Sequence, residues 1–140
     1  MAKVSMAMNL GVSSEQVWDM IGQFNALADW HPAVERSEID GDGTGSIRTL
    51  HLVGGGKIEE RLEQLDDSGK LYKYAILSGP LPVANYTSTI RIVEDESGGG
   101  CKVEWSSEFE PSGAPEPDAV AAIQGIYQAG LDNLKKMFGG

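Results

Sequence analysis

The sequence predicts an α+β fold: a curved antiparallel sheet of seven strands wrapped around one long C-terminal helix, with two short helices after the first strand. Three observations carry this expectation. Glu116 to Phe138 is the longest uninterrupted helical pattern in the chain. Upstream, a succession of turn-bounded segments alternates apolar and polar residues, which is the period of a half-buried strand. The last of them alternates most cleanly, with Cys101, Val103, Trp105, Ser107 and Phe109 on one face and Lys102, Glu104, Ser106, Glu108 and Glu110 on the other. One buried and one wet face is what an antiparallel sheet covered by a single helical layer requires.

Taken in order, Lys3 to Asn9 reads as the first strand, with Val4, Met6 and Met8 on one face. Ser13 or Ser14 caps a helix through Trp18, Met20 and Ile21, and Glu15 and Gln16 suit its first turn. Asn25 to Trp30 reads as a second short helix, stopped by Pro32, which pushes its predecessor out of the helical region. Strands follow at Ala33 to Ile39, Ser46 to Val53, Ile58 to Leu65, Leu71 to Ser78 and Asn85 to Val93. The turns between them are rich in glycine, aspartate and proline, and a polar turn from Glu94 to Gly100 precedes the last strand. Such spacing predicts a meander.

The long helix has Pro115 and Pro117 at its first turn, Glu116 and Asp118 where its dipole favours negative charge, and Lys135 and Lys136 at the opposite end. Gly139 and Gly140 supply a stop. One apolar stripe holds Val120, Ile123, Tyr127, Leu131, Leu134 and Phe138, and a neighbouring one holds Ala119, Ala122, Ile126, Ala129, Asn133 and Met137. Gly125 and Gly130 cost about 1 kcal/mol each relative to alanine, so either the sheet approaches closely there or they leave room for a ligand.

The 140 residues suit one domain, spanning positions 1 to 140, with a core that needs no staple. A formal net charge of −10 argues against nucleic acid and anionic membrane surfaces. One cysteine, Cys101, and no Cys/His cluster of zinc spacing point to a reducing interior without structural metal. The start, Met1-Ala-Lys-Val-Ser-Met, lacks the apolar run of a signal peptide, and no segment has membrane-spanning length. The expectation is a cytoplasmic protein without membrane insertion, a monomer or weak homodimer, with no cofactor.

The element order resembles the helix-grip fold of the START/Bet v 1-like superfamily (SRPBCC, polyketide cyclase/dehydrase-like), and the resemblance covers essentially the whole chain. Gly41-Asp42-Gly43-Thr44-Gly45-Ser46-Ile47-Arg48 looks like the glycine-rich turn and strand of these proteins. Glu60-Arg61-Leu62 with Leu65-Asp66-Asp67, and Ser78-Gly79 with Asn85-Tyr86-Thr87-Ser88, look like segments of the abscisic-acid-receptor branch. The resemblance implies an apolar cavity between sheet and helix, entered between two loops: Gly54, Gly55, Gly56 and Lys57 as a mobile lid, and Gly79, Pro80, Leu81 and Pro82 as a stiffer rim. The chain departs from the receptors where they hold a carboxylate with lysine, a position resembling His31 here. Their gate sequence and the polar residues of their second loop are also absent. The hormone and its phosphatase control are therefore not carried over.

Alternation selects pocket residues independently. Placing Ile58 and Leu62 inward forces Glu60 inward, and a carboxylate facing an apolar space must be paired, hydrated or protonated. The resemblance puts a water-bound glutamate there; the plainer reading is a partly exposed glutamate paired with Arg48 or Arg61. Tyr72, Tyr74 and Ile76 share a face, as do Tyr86 and Ser88, and buried phenols need partners. Leu52 points inward, Trp105 lines the floor, and Trp30 with His31 sits near the mouth. From the long helix Ile126, Ala129 and Asn133 face the sheet, Asn133 bearing an amide that needs a partner. His51 alternates toward solvent between Leu50 and Leu52.

Two functions follow. The first is binding of a small hydrophobic or aromatic ligand such as a lipid, polyketide or hormone-like molecule. The rival is a cofactor-independent polyketide cyclase, aromatase or dehydratase using Glu60, His31 and Tyr86 in the same cavity.

Overall fold

Strands form where alternation predicts them, and several run past the expected turn. The computed structural model describes residues 2–94 and 99–138. Its elements are β1 (Ala2–Leu10), α1 (Ser14–Ile21), a 3-10 turn (Phe24–Ala26), α2 (Leu27–Trp30), β2 (Val34–Asp40), β3 (Ile47–Leu52), β4 (Lys57–Asp66), β5 (Leu71–Ser78), β6 (Val83–Glu94), β7 (Cys101–Pro111) and α3 (Glu116–Phe138). The Ser13 hydroxyl accepts the Gln16 N–H and caps α1. The expected stop at Gly139 and Gly140, and residues 95–98 of the expected polar turn, lie outside the described residues.

The sheet has seven strands in the order β1-β7-β6-β5-β4-β3-β2, every pair antiparallel. Strands β2 to β7 form the meander, and β1 joins its far end, from Ala2↔Phe109 to Leu10↔Cys101. Strand β6 starts at Val83 rather than Asn85 because Val83 and Ala84 still ladder with Pro111 and Glu110 of β7. Register shifts in β4 and β6 add bends, and a bent sheet curls around what it covers. This is the helix-grip arrangement.

Helix α3 lies across β1 and β7. It buries Ala119, Ile123, Tyr127, Leu131 and Leu134, each large side chain contributing about 1.5–3 kcal/mol. On the second stripe Ile126, Ala129 and Asn133 are only half-buried, and Met137 is exposed. The two glycines have different reasons. A Cβ on Gly130 would stand 2.7 Å from His31 Cδ2, 3.0 Å from Trp30 Cζ3 and 3.1 Å from Trp105 Cζ3, so aromatic rings occupy the space. Gly125 is exposed with nothing within 4 Å, and neither expectation fits it. No helix among the described residues is long and apolar enough to cross a membrane.

Candidate functional site

Where the sheet curls away from α3, the side chains leave a hollow of about 230 Å³. Strands β3 and β4 contribute Leu50, Leu52, Ile58 and Glu60; β5, β6 and β7 contribute Tyr74, Ile76, Tyr86 and Trp105. Helix α3 adds Ile123 and Ile126, and the chain around α2 adds Leu27 and His31. The volume lies below the roughly 300–1,000 Å³ of ordinary small-molecule sites, which limits an occupant to about one ring system. Val53 and Leu81 bring the two loops to its rim. These loops meet where a Cβ on Gly56 would lie 3.9 Å from Pro80 Cγ. Gly54, Gly55 and Gly56 have φ of +89°, +106° and +93°, a turn that only glycine takes without strain.

One end of the hollow is charged. Glu60 is 4 % exposed and Arg48, its ladder partner on β3, 1 %. Arg48 Nε donates to Glu60 Oε1 at 2.7 Å, and Nη2 lies 2.7 Å from the same oxygen without the alignment to donate. Nη1 donates to the Phe24 carbonyl at 2.5 Å, and the guanidinium stands 4.0 Å over the Phe24 ring and 5.0 Å from that of Tyr74. Burial raises the Glu60 carboxyl above its ordinary range, with Arg48 pulling against that rise. Arg48 itself is pushed further up by the charge of Glu60, against the cost of burial, and stays a cation.

Beside this pair lies a hydroxyl relay. Tyr86 and Tyr127 are hydrogen-bonded through their hydroxyls, Tyr74 approaches Tyr86 at 3.5 Å, and Ser88 lies 3.1 Å from Tyr127. Ser88 Oγ donates to the Ser106 carbonyl at 2.8 Å, and Trp105 Nε1 reaches both Tyr74 and Ser88 at 3.1 Å. Because Ser88 spends its proton on that carbonyl, Tyr127 must donate to Ser88 and Tyr86 to Tyr127. The Tyr86 and Tyr127 protons are thereby committed to acceptors within the chain. Burial pushes Tyr127 up to about 12, and Tyr74 and Tyr86 well above their ordinary value, so all three stay neutral. Glu60 and the Tyr86 hydroxyl, its proton spent on Tyr127, therefore offer the hollow acceptors.

His31 lines the hollow but is committed to backbone. Its Nε2 lies 2.7 Å from the Ile126 carbonyl, and its Nδ1 accepts the Ala33 N–H at 3.1 Å, which fixes a neutral tautomer. Burial lowers its pKa accordingly. Asn133 donates to the Trp30 carbonyl at 2.8 Å and ties α3 to α2 instead of facing the hollow. Trp30, Leu62, Ser88 and Ala129, expected as ligand contacts, are also not among its lining residues. Trp30, Leu62 and Ser88 are fully buried. Leu52, Glu60, Tyr74, Ile76, Tyr86, Trp105 and Ile126 do line it. His51 is a partly exposed partner of Glu38. Sequence reasoning named Arg48 only as one of two possible partners of Glu60, and it missed Tyr127 as a member of the site.

The family model for polyketide cyclase/dehydrase and lipid transport matches residues 1–139. The chain belongs to that family. The polyketide cyclase/dehydrase member is also 25 % identical over 125 residues to the abscisic acid receptor PYL7 of Arabidopsis thaliana, across 84 % of its own length and 59 % of the receptor's. The expected SRPBCC, Bet v 1-like resemblance and the distant similarity to abscisic acid receptors therefore stand. Among solved structures, the protein XoxI from Bacillus cereus superposes with a TM-score of 0.94 at 38 % identity, over 99 % of this chain and 96 % of that one. A protein from Bacillus thuringiensis superposes at 0.93 with 37 % identity, over 99 % and 100 %.

Proposed function

We propose that this chain binds a small, mostly apolar ligand in the hollow between sheet and α3, and that the ligand's inner end carries a hydrogen-bond donor. The observation that carries the reading is the acceptor character of the polar end: a Glu60 carboxyl whose Oε1 is held by Arg48, beside the Tyr86 and Tyr127 phenols whose protons run toward Ser106. A hydroxylated ring satisfies these acceptors, whereas a carboxylate would face Glu60 directly and be repelled. The family's link to lipid transport and the likeness to a hormone receptor support binding as the general activity.

The test is a fluorescence titration with 1-naphthol and 1-naphthoic acid. The naphthol should bind and the acid should not. Ile126→Trp, which fills the hollow from α3, should abolish naphthol binding in a folded protein. Naphthol binding that survives Ile126→Trp would place the ligand elsewhere and refute the reading.

A second reading is favoured by one observation, the raised Glu60 carboxyl among apolar walls. A carboxylate with such a pKa is suited to take a proton from carbon beside a ligand carbonyl, as cyclisation and dehydration require. Turnover of an aromatic polyketide mimic that disappears in the folded double variant Arg48→Met/Glu60→Gln would establish it; unchanged mimic with the wild-type chain would sink it.

A further inference from the structure

The ladder between β5 and β6 stops early. Its pairs end at Ala75↔Thr87, yet β5 continues to Ser78 and β6 begins at Val83. Past that point each strand serves only its other neighbour. Ile76 and Ser78 pair with Glu60 and Glu59 of β4, while Val83 and Ala84 pair with Pro111 and Glu110 of β7. Asn85 accounts for the parting. Its φ of +52° is a left-handed conformation that asparagine tolerates, and it sits within the register shift between Ala84 and Thr87. A bulge of this kind turns a strand away from its neighbour.

A cleft of about 600 Å³ fills the wedge on the outer face of the sheet. Three of its residues, Ile76, Leu81 and Tyr86, also line the inner hollow. No strand ladder separates the two spaces, so their partition is made of side chains. Tyr86 is pinned by its bond to Tyr127. Ile76 and Leu81 are half-buried apolar side chains that can swing without breaking a hydrogen bond.

The outer cleft differs in chemistry from the hollow. Its one cation, among the described residues, is Arg61, whose Nε and Nη2 both donate to Glu63 Oε1 at 3.1 and 2.9 Å. Charge therefore cancels inside the cleft. What remains for an occupant is the Asn85 side chain and two strand edges whose groups facing the wedge have no β5–β6 partner. Backbone edges of this kind pair with neutral amides and hydroxyls, and not with isolated charge.

We infer that the β5–β6 wedge is a second subsite, joined to the hollow past Ile76 and Leu81, and that it takes the uncharged polar chain of an elongated ligand whose hydroxylated ring lies inside. The inference rests on the binding reading above and extends it. It also accounts for an inner hollow too small for more than a ring, because the ligand's remainder has its own place outside.

The experiment uses the full chain, labelled with nitrogen-15, and two probes: 1-naphthol, and 1-naphthol carrying a hexyl chain that ends in a primary amide. Naphthol should shift the amides of Leu50 and Ile58. The chain-bearing probe should shift these and also Leu77, Asn85 and Thr87. A bulky maleimide on Ser78→Cys then blocks the wedge; Ser78 is exposed and outside the inner lining, and Cys101 is buried. That label should weaken the chain-bearing probe by at least about tenfold and naphthol by less than about twofold. Shifts at Gly54 to Gly56 in place of Leu77 and Asn85, or equal effects of the label on both probes, would overturn the subsite while leaving ring binding intact. Failure of both probes to bind would overturn the binding reading and the subsite with it.

Discussion

Glu60→Gln removes a charge from the hollow and almost nothing else. The side chain keeps its shape, but Arg48 is left as a cation at 1 % exposure, and a guanidinium does not shed its proton at any ordinary pH. Breaking a buried pair from this side costs about 3–5 kcal/mol. Arg48→Met breaks it from the other side and costs less, about 1–3 kcal/mol, chiefly from the Phe24 carbonyl left without its donor. The difference arises because an orphaned carboxyl can neutralise itself by binding a proton. The double variant should recover most of the loss, since a buried pair replaced by neutral side chains of similar volume is often near neutral in stability. Urea unfolding reads all three. With a slope of about 1–3 kcal/mol per molar, the Glu60→Gln midpoint should fall by at least about 1 M. A pH arm separates the singles. Arg48 holds the Glu60 carboxyl down against burial, so in Arg48→Met that carboxyl rises further, and the stability its bound proton contributes is complete below the ordinary value of 4.5 and lost as pH rises through the folded value. Arg48→Met should therefore close part of its gap to wild type as pH falls from about 7 to about 5, and Glu60→Gln should not. Equal costs for the two singles, simple additivity in the double, and no pH dependence would together refute a coupled charge pair.

Other outcomes follow from particular contacts. Burial keeps the His31 pKa below 6.5, so the folded chain accepts that proton later than the unfolded one; the associated stability is intact above 6.5 and shrinks as pH falls below it. His31→Gln should flatten the decline in thermal midpoint across that window, and an unchanged slope would assign the proton elsewhere. Gly130→Ala should destabilise by about 1–2 kcal/mol net, because crowding rigid rings outweighs the gain of about 1 kcal/mol in helix propensity. Gly125→Ala has open space and should stabilise by up to about 1 kcal/mol, so paired denaturation curves with opposite signs check both. Tyr127→Phe leaves Tyr86 and Ser88 short of a partner and should cost about 1–3 kcal/mol in the same assay.

The fold was legible wherever its cause was local. Alternation located every strand, Ser13 announced α1, and the charges at either end of α3 bounded it. The reading weakened where the cause lay across space. Gly125 and Gly130 look alike in the helical pattern, and only the rings of Trp30, His31 and Trp105 distinguish them. Tyr127 read as one more apolar position on α3 because its partners Tyr86 and Ser88 lie 41 and 39 residues away in the chain. Strand β6 was cut short at Asn85 because Pro82 resembles a turn, whereas pairing with β7 continues to Val83.

Arg48 is a different case, because it was named beside Arg61 as a possible partner of Glu60 and the sequence could have chosen between them. The counting that turns His51 to solvent between Leu50 and Leu52 also turns Arg48 inward, which selects it over the outward Arg61 as the partner of Glu60. Its partner was fixed as well. In an antiparallel hairpin, residues counted back from the centre of the turn meet residues counted forward, and with the centre at Gly54 this matches Leu50 to Ile58 and Arg48 to Glu60. Two inward charges of opposite sign on matched positions must either pair or leave an isolated buried charge, which costs far more than a pair. The glycine turn at the rim therefore does two things at once. It brings Val53 to the rim of the hollow, and it sets the register that gives Glu60 a cation to face.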